Sequence, residues 1–201
     1  VEIYVHNSPY SAGLWGEIDR LGQEFRQTLT TETLKDISGI AATRQVYRAC
    51  GKDPSRYRPA AEALIRRILQ GKQLYQINTL VDLVNLASIR YGYSIGGFDA
   101  DKFEGETLTL GVGRTGEPYE GIGRGTINIE GLPVYRDAVG GVGTSTSDHE
   151  RTKIDDNTTH LVVLINGYDG CEADVRANAE YILQLARDYC DGTAGSYYIY
   201  K

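Results

Sequence analysis

The sequence predicts an α+β sandwich in a single domain, residues 1–201, with a mixed, largely antiparallel sheet. Three observations carry this reading. Apolar residues recur at helical spacing through residues 1–91, short alternating or β-branched segments separated by glycine fill a strand-rich core at 92–166, and a last helix and strand occupy 167–201. No internal repeat, linker or low-complexity tract interrupts the chain.

In LWGEIDRLGQEFRQTL, Leu14, Ile18, Leu21 and Phe25 share one helical face, and in ISGIAATRQVYRAC, Ile40, Val46 and Tyr47 precede a stop at Gly51. The turn GKDPSRYRP leads into a third helix, AAEALIRRILQG. Pro59 suits its first turn because no needed donor is given up, and Gly71 suits its C-terminal cap. The fourth helix lies in NTLVDLVNLASIRYGYSIGGFD. Asn78 is placed to cap it, since the side-chain oxygen accepts an orphan backbone N–H.

Within that helix Asn78, Asp82 and Asn85 fall on one narrow face, while Leu80, Val84, Ala87 and Tyr91 line the opposite side. Such a stripe is a solvated face, a buried network or the wall of a site. The preferred reading is a network in which Asp82 and Asn85 anchor a glycine turn at GGFD, because a buried polar group without a partner costs about 1–3 kcal/mol.

The strand segments follow as ETLTLGV, EPYEGIG, GTINIEG and LPVYRDA. HLVVLING reads as a buried strand, CEADVRANAEYILQLARDYCDG as an amphipathic helix and SYYIY as a last strand.

Composition narrows the function classes. With 41% apolar and 24% charged residues the chain is an ordinary globular protein, and no apolar run approaches the roughly 18 residues that span a bilayer. The start VEIYVHNSPY lacks the basic-then-apolar pattern of a signal peptide, so a cytoplasmic protein without a membrane partner is expected. Cys50, Cys171 and Cys190 are widely spaced and form no CxxC pair, which fits a reducing compartment and argues against structural zinc. The net charge is −6, yet residues 44–72 hold eight basic residues against Asp53 and Glu62, a local balance of +6. Such a segment marks a surface for a polyanion or a pair of plain solvated helix faces.

Several motifs are weak. GVGRTG at residues 111–116 matches GxGxxG, but the following EPYEGIG cannot form the helix that would cradle a pyrophosphate, so a hairpin turn is expected. Asp148, His149, Glu150 and His160 are metal-ligand types without metal spacing, and Ser145, Ser147, His149 and Asp148 lack the strained GxSxG elbow of a hydrolase. Neither a metal nor a cofactor is expected. The glycine-rich crossing RDAVGGVGTSTSDHERTKI is more suggestive. Gly140, Gly141 and Gly143 remove side chains where a backbone could approach a ligand, the residues from Thr144 to Asp148 supply small hydrogen-bonding groups, and Arg151 offers a forked clamp for phosphate or carboxylate. An exposed loop rich in turn formers explains the same residues.

Two stretches, YRPAAEALIRRILQGKQLYQINTLVDLVNLASIRYGYSIGGFDADKFEG and GLPVYRDAVGGVGTSTSDHERTKIDDNTTHLVVLI, resemble the tRNA-editing B3/B4 module of the phenylalanyl-tRNA synthetase beta subunit. The match covers roughly residues 44–165, and its most specific pieces are the IN..VD..N helix leading to FD.DK and the later glycines with RT.I. The resemblance implies an α/β sandwich that binds the aminoacylated 3′ end of tRNA and hydrolyses misattached amino acid. The synthetase's aminoacylation and anticodon modules have no counterpart in these 201 residues, so the chain resembles a free-standing relative that clears misacylated tRNA in trans. It departs from the module at Gly96, where the bacterial synthetase carries a histidine two positions before FD, and the glutamate that recognises the tyrosine hydroxyl falls near Glu150.

The expected ligand-framing residues are therefore Asn78, Asp82, Asn85 and Asp99 around the pocket, Gly140 and Gly141 for close approach, and Ser147, Asp148, Glu150 and Arg151 for contacts. Arg56, Arg58, Arg66 and Arg67 are assigned to tRNA phosphates. DNA is not an expected partner. A tRNA or small-ligand binding module without turnover, and an interaction protein with a vestigial pocket, stand as the alternatives; the acidic balance favours the last.

Overall fold

In the computed structural model, which describes residues 1–200, the chain adopts an α+β fold with antiparallel sheets. A short first strand, β1 (Glu2–Tyr4), precedes four helices: α1 (Ala12–Thr28), α2 (Ser38–Ala49), α3 (Ala60–Leu69) and α4 (Thr79–Tyr91). Then come β2 (Ile95–Asp99), β3 (Thr109–Val112), β4 (Glu120–Gly121), β5 (Gly125–Thr126), β6 (Pro133–Arg136), β7 (Gly141–Thr144) and β8 (His160–Ile165). The chain closes with α5 (Glu172–Tyr189) and β9 (Thr193–Ser196).

The helix ends obey local chemistry. Ser11 caps α1 by accepting the Leu14 N–H, and Asn78 caps α4 by accepting the Val81 N–H at 3.0 Å. Pro59 sits at the N-cap of α3, one residue ahead of its first turn, and Gly71 follows the C-cap in the left-handed region at φ +71. Gly92 ends α4 at φ 72, a conformation costly for any residue with a Cβ. Glu172 and Asp174 in the first turn of α5 complement its dipole.

Four strands pair in the order β2-β8-β1-β9, all antiparallel, and three more in the order β3-β6-β7; β4 and β5 form a separate small hairpin. The main core joins the helices to the four-stranded sheet through Ile3, Leu14, Ile40, Ile65, Leu80, Leu83, Leu161, Val163 and Ile182. A second, smaller cluster of Tyr47, Tyr119, Ile129, Leu132 and Val134 lies under the three-stranded sheet.

Four local expectations are corrected. The GGFD segment is not a turn but the end of β2, paired along its length with the central strand β8. SYYIY is not a strand: β9 covers TAGS and ends at Ser196, the first residue of that segment, and Tyr198 and Tyr200 are exposed. Residues 2–4, within the stretch expected to be helical, instead form strand β1, whose alternation puts Ile3 inward and Glu2 and Tyr4 outward and which pairs on both sides. Residues 111–116 end β3 and turn at Arg114–Glu117, but β3 pairs with β6, so the motif opens a long excursion rather than closing a hairpin. No helix among the described residues is long and apolar enough to cross a membrane.

Candidate functional site

The glycine-rich crossing folds into a tight return over β2. After β7 the chain turns through residues 145–147 and comes back at Asp148, which bridges Gly143, while His149 N–H donates to the Val142 carbonyl at 2.8 Å. Thr144 Oγ1 accepts the N–H groups of Thr146 and Ser147 at 3.1 and 3.0 Å and fixes the turn.

Beneath this return the Asp148 carboxyl is enclosed by glycines. Its Oδ2 accepts the Gly97 N–H at 3.3 Å, and its Oδ1 lies 3.1 Å from where a Cβ of Gly96 would stand and 3.0 Å from one at Gly143. The Phe98 ring fills the remaining space, at 2.6 and 2.5 Å from those same positions. Glycine is therefore required at 96 and 143 by close approach, not by backbone conformation. Burial pushes the Asp148 carboxyl up to about 8, against the small opposing effect of the Gly97 N–H, so it is mostly protonated at neutral pH.

Tyrosine hydroxyls brace the turn from outside. Tyr119 donates to the Ser147 carbonyl at 2.7 Å and packs edge-on against His149; Tyr47 meets Thr146 Oγ1 at 2.8 Å. Tyr135 and Tyr168 both donate to Asn166 Oδ1, whose amide donates to the Ser94 carbonyl. Burial raises all four phenols above their ordinary range, which keeps them as donors. Ser145 Oγ is buried beside Tyr47 and Tyr168 but meets hydrogen-bond geometry with neither.

On the other side of β7 lies an open groove of about 480 Å³, bordered by residues 114–118, by Arg136 to Val139 and by Gly140 and Gly141. Asp137 shapes its lip. This carboxylate accepts N–H groups from Glu104, Val139 and Gly140 and both ends of the Arg151 fork at 2.9 Å; despite burial, these donors, Arg151 foremost, hold it down at about 2. Open space surrounds Gly140, whereas a Cβ at Gly141 would strike the Tyr119 ring at 2.9 Å.

The structure thus brings Ser147 and Asp148 together with Gly96 and Gly97, and brings Gly140 and Gly141 to the adjoining groove. It does not bring the α4 stripe there. Asp82 accepts Trp15 Nε1–H at 2.7 Å and the Ile77 N–H, which ties α4 to α1; burial raises its carboxyl, opposed by the Trp15 bond. The expectation that Asp82 and Asn85 anchor GGFD is corrected: Val84, on the opposite face, meets Gly97, and Asn85 shares the Asp82 side. Asn78 is occupied as a cap. The stripe faces Trp15 instead of the crossing, and the glycines of β2 and β7 are packed against Phe98, Asp148 and Val84.

Other expected contacts are engaged internally. Asp99 accepts Thr158 Oγ1 at 2.8 Å and pairs with Lys102; Arg151 is a staple on Asp137 rather than a free clamp; Glu150 is paired with Lys153, which lowers its carboxyl. Arg67 donates to the Gln73 carbonyl and stacks on Tyr75, Arg56 lies over Tyr57, and Arg58 and Arg66 flank Glu62. Among the described residues no three His, Cys, Asp or Glu side chains converge as metal ligands.

Sequence reasoning missed Tyr47, Tyr119, Tyr135, Tyr168 and Asn166. A signal was present: the chain holds 15 tyrosines against 3 phenylalanines, so many of its aromatic positions carry a hydroxyl.

A search of curated proteins finds no match to this chain. The B3/4 domain family model matches residues 42–185, which span α2 to α5 and contain the whole glycine-enclosed return and its groove. The chain belongs to the B3/4 domain family, the module type of the phenylalanyl-tRNA synthetase beta subunit.

Proposed function

We propose that the protein binds the aminoacylated 3′ end of tRNA in the groove beside β7 and hydrolyses misattached amino acid in trans, in the cytoplasm. One observation carries this reading beyond the family: the groove is bordered by a backbone free of side chains at Gly140 and Gly141 and braced by the Asp137–Arg151 staple. An ester carbonyl can approach such a wall closely.

The reaction asks little of the protein. Water adds to the ester carbonyl, the carbon–oxygen bond to the ribose breaks, and the ribose oxygen leaves with a proton while the amino acid is released as an acid. Orientation of that water and backbone N–H groups near the oxyanion would suffice for a substrate already activated. No side-chain nucleophile is needed.

The test is a panel of tRNAs charged with wrong amino acids. Release above background is expected, lost in Gly140→Val, whose side chain enters open space and leaves the fold intact. Equal release by Gly140→Val and the unaltered protein would sink the groove assignment. The internal engagement of Glu150 and Arg151 favours a second reading, binding without turnover. Salt-sensitive tRNA binding with no release would assign it.

A further inference from the structure

Three arginines converge on one buried carboxylate. Glu62, on α3, is 2% exposed. Arg44 reaches it from α2, placing Nη1 2.8 Å from Oε2. Arg66, one turn further along α3, places Nη2 3.3 Å from Oε1, and Arg58, one turn before, places Nε 3.5 Å from that same oxygen.

One guanidinium neutralises one carboxylate, and a buried carboxylate does need a partner. Three leave a local charge of +2 in a chain whose net charge is −6. The surplus is unfavourable in itself, because like charges held this close repel through a partly buried medium. Hydrogen bonding does not account for Arg58 either. Among the described residues Arg58 makes no hydrogen bond, and the Nε atoms of Arg58 and Arg66 are both buried without one. Their side chains remain 40% and 26% exposed, so each keeps part of a donor fork facing solvent. Arg44 and Arg66 also reach the carbonyls of Pro54 and Thr31, at 3.5 and 3.4 Å, so among the three it is Arg58 whose fork has no hydrogen-bond acceptor among the described residues, whereas Arg67, Arg136 and Arg151 each hold a carbonyl or a carboxylate.

The cluster also stands close to the return described above. Ala60 N–H, at the start of α3, donates to the Ser145 carbonyl at 2.8 Å, which docks this helix end onto the turn after β7.

We propose that Arg44, Arg58 and Arg66 form a phosphate-binding site in which Glu62 pre-orients the three guanidinium groups. The ligand chemistry is a phosphate oxygen pair, matched by planar forks with donors to spare. It is supplied either by an RNA backbone or by a free phosphate. The site does not depend on hydrolysis at the groove, and Gly140→Val is expected to leave it unchanged.

The experiment is calorimetric titration of the full chain with inorganic phosphate and, separately, with a short single-stranded RNA at several salt concentrations. Arg58→Gln removes the arginine with the longest contact and leaves Glu62 paired with Arg44 and Arg66. It is expected to weaken phosphate at least tenfold or to lower the salt slope for RNA by about one. Arg67→Gln makes the same change in net charge outside the cluster and is expected to stay within about twofold. A loss confined to phosphate assigns a free anion, and a reduced salt slope assigns an RNA backbone. Equal behaviour of Arg58→Gln and Arg67→Gln overturns the proposal, as does the absence of binding to either ligand. Failure of tRNA deacylation with phosphate binding intact would count against the groove alone.

Discussion

The helical half and the glycine-rich half are stabilised by different means. Around α4 and the four-stranded sheet, aliphatic side chains such as Leu80, Leu83 and Val163 fill space and carry no direction of their own. Around β7, the packing units are tyrosine rings with hydroxyls aimed at carbonyls and amides, and the Phe98 ring and Asp148 carboxyl packed directly on bare backbone at Gly96 and Gly143. The first arrangement tolerates exchange of one aliphatic residue for another of like volume. The second fixes atoms one by one, which is what a ligand site requires of its scaffold.

The sharpest test of the aliphatic half is Leu83→Ala. A fully buried leucine removed from this core is expected to cost about 2–5 kcal/mol in urea unfolding. Gly143→Ala probes the other half from the opposite direction, by adding one methyl group. With Phe98 2.5 Å from the new atom, a loss of about 1–3 kcal/mol is expected; an unchanged midpoint would show that the return over β2 is loosely packed.

Asp148 gives the two halves different pH dependence. Its folded pKa is raised, so its contribution is fully present below about pH 4 and is lost as pH rises toward about 8. Stability should fall across this window by up to about 1.4 kcal/mol per pH unit from this group. Asp148→Asn should remove that slope. Burial holds His149 below its usual range, which acts in the opposite sense and is common to both proteins, so the difference between their pH profiles isolates Asp148. The smallest effect is expected at Asn178 on α5, fully buried with neither amide atom hydrogen-bonded. Asn178→Leu should raise the melting temperature, by about 1 kcal/mol in stability, because it removes orphaned polar atoms at similar volume.

The sequence made the helical half readable because its signals are local. Asn78, Gly71 and Gly92 act on their own helix ends, and the spacing of Leu14, Ile18 and Leu21 reports one face. The glycine half was legible only as a list of residue types. Gly96, Gly97 and Asp148 meet because β2 and the return after β7 come together from 51 residues apart, and no periodicity encodes that. The polar stripe on α4 was seen correctly but given the wrong partner. Whether Asp82 faces Trp15 or GGFD depends on which neighbour packs on which side, and that is settled by α1 and β2 jointly.

The strand order β2-β8-β1-β9 sets a timetable for the chain's birth. At roughly 5–20 residues per second a ribosome takes on the order of ten seconds to travel from β1 to β8, and throughout that interval the earlier strand has no neighbour to zip onto. Helices α1 to α4 can assemble meanwhile, but their sheet-facing surfaces stay greasy and unsheltered until β8 emerges. Nascent chains halted before that strand should therefore be the species that chaperones capture.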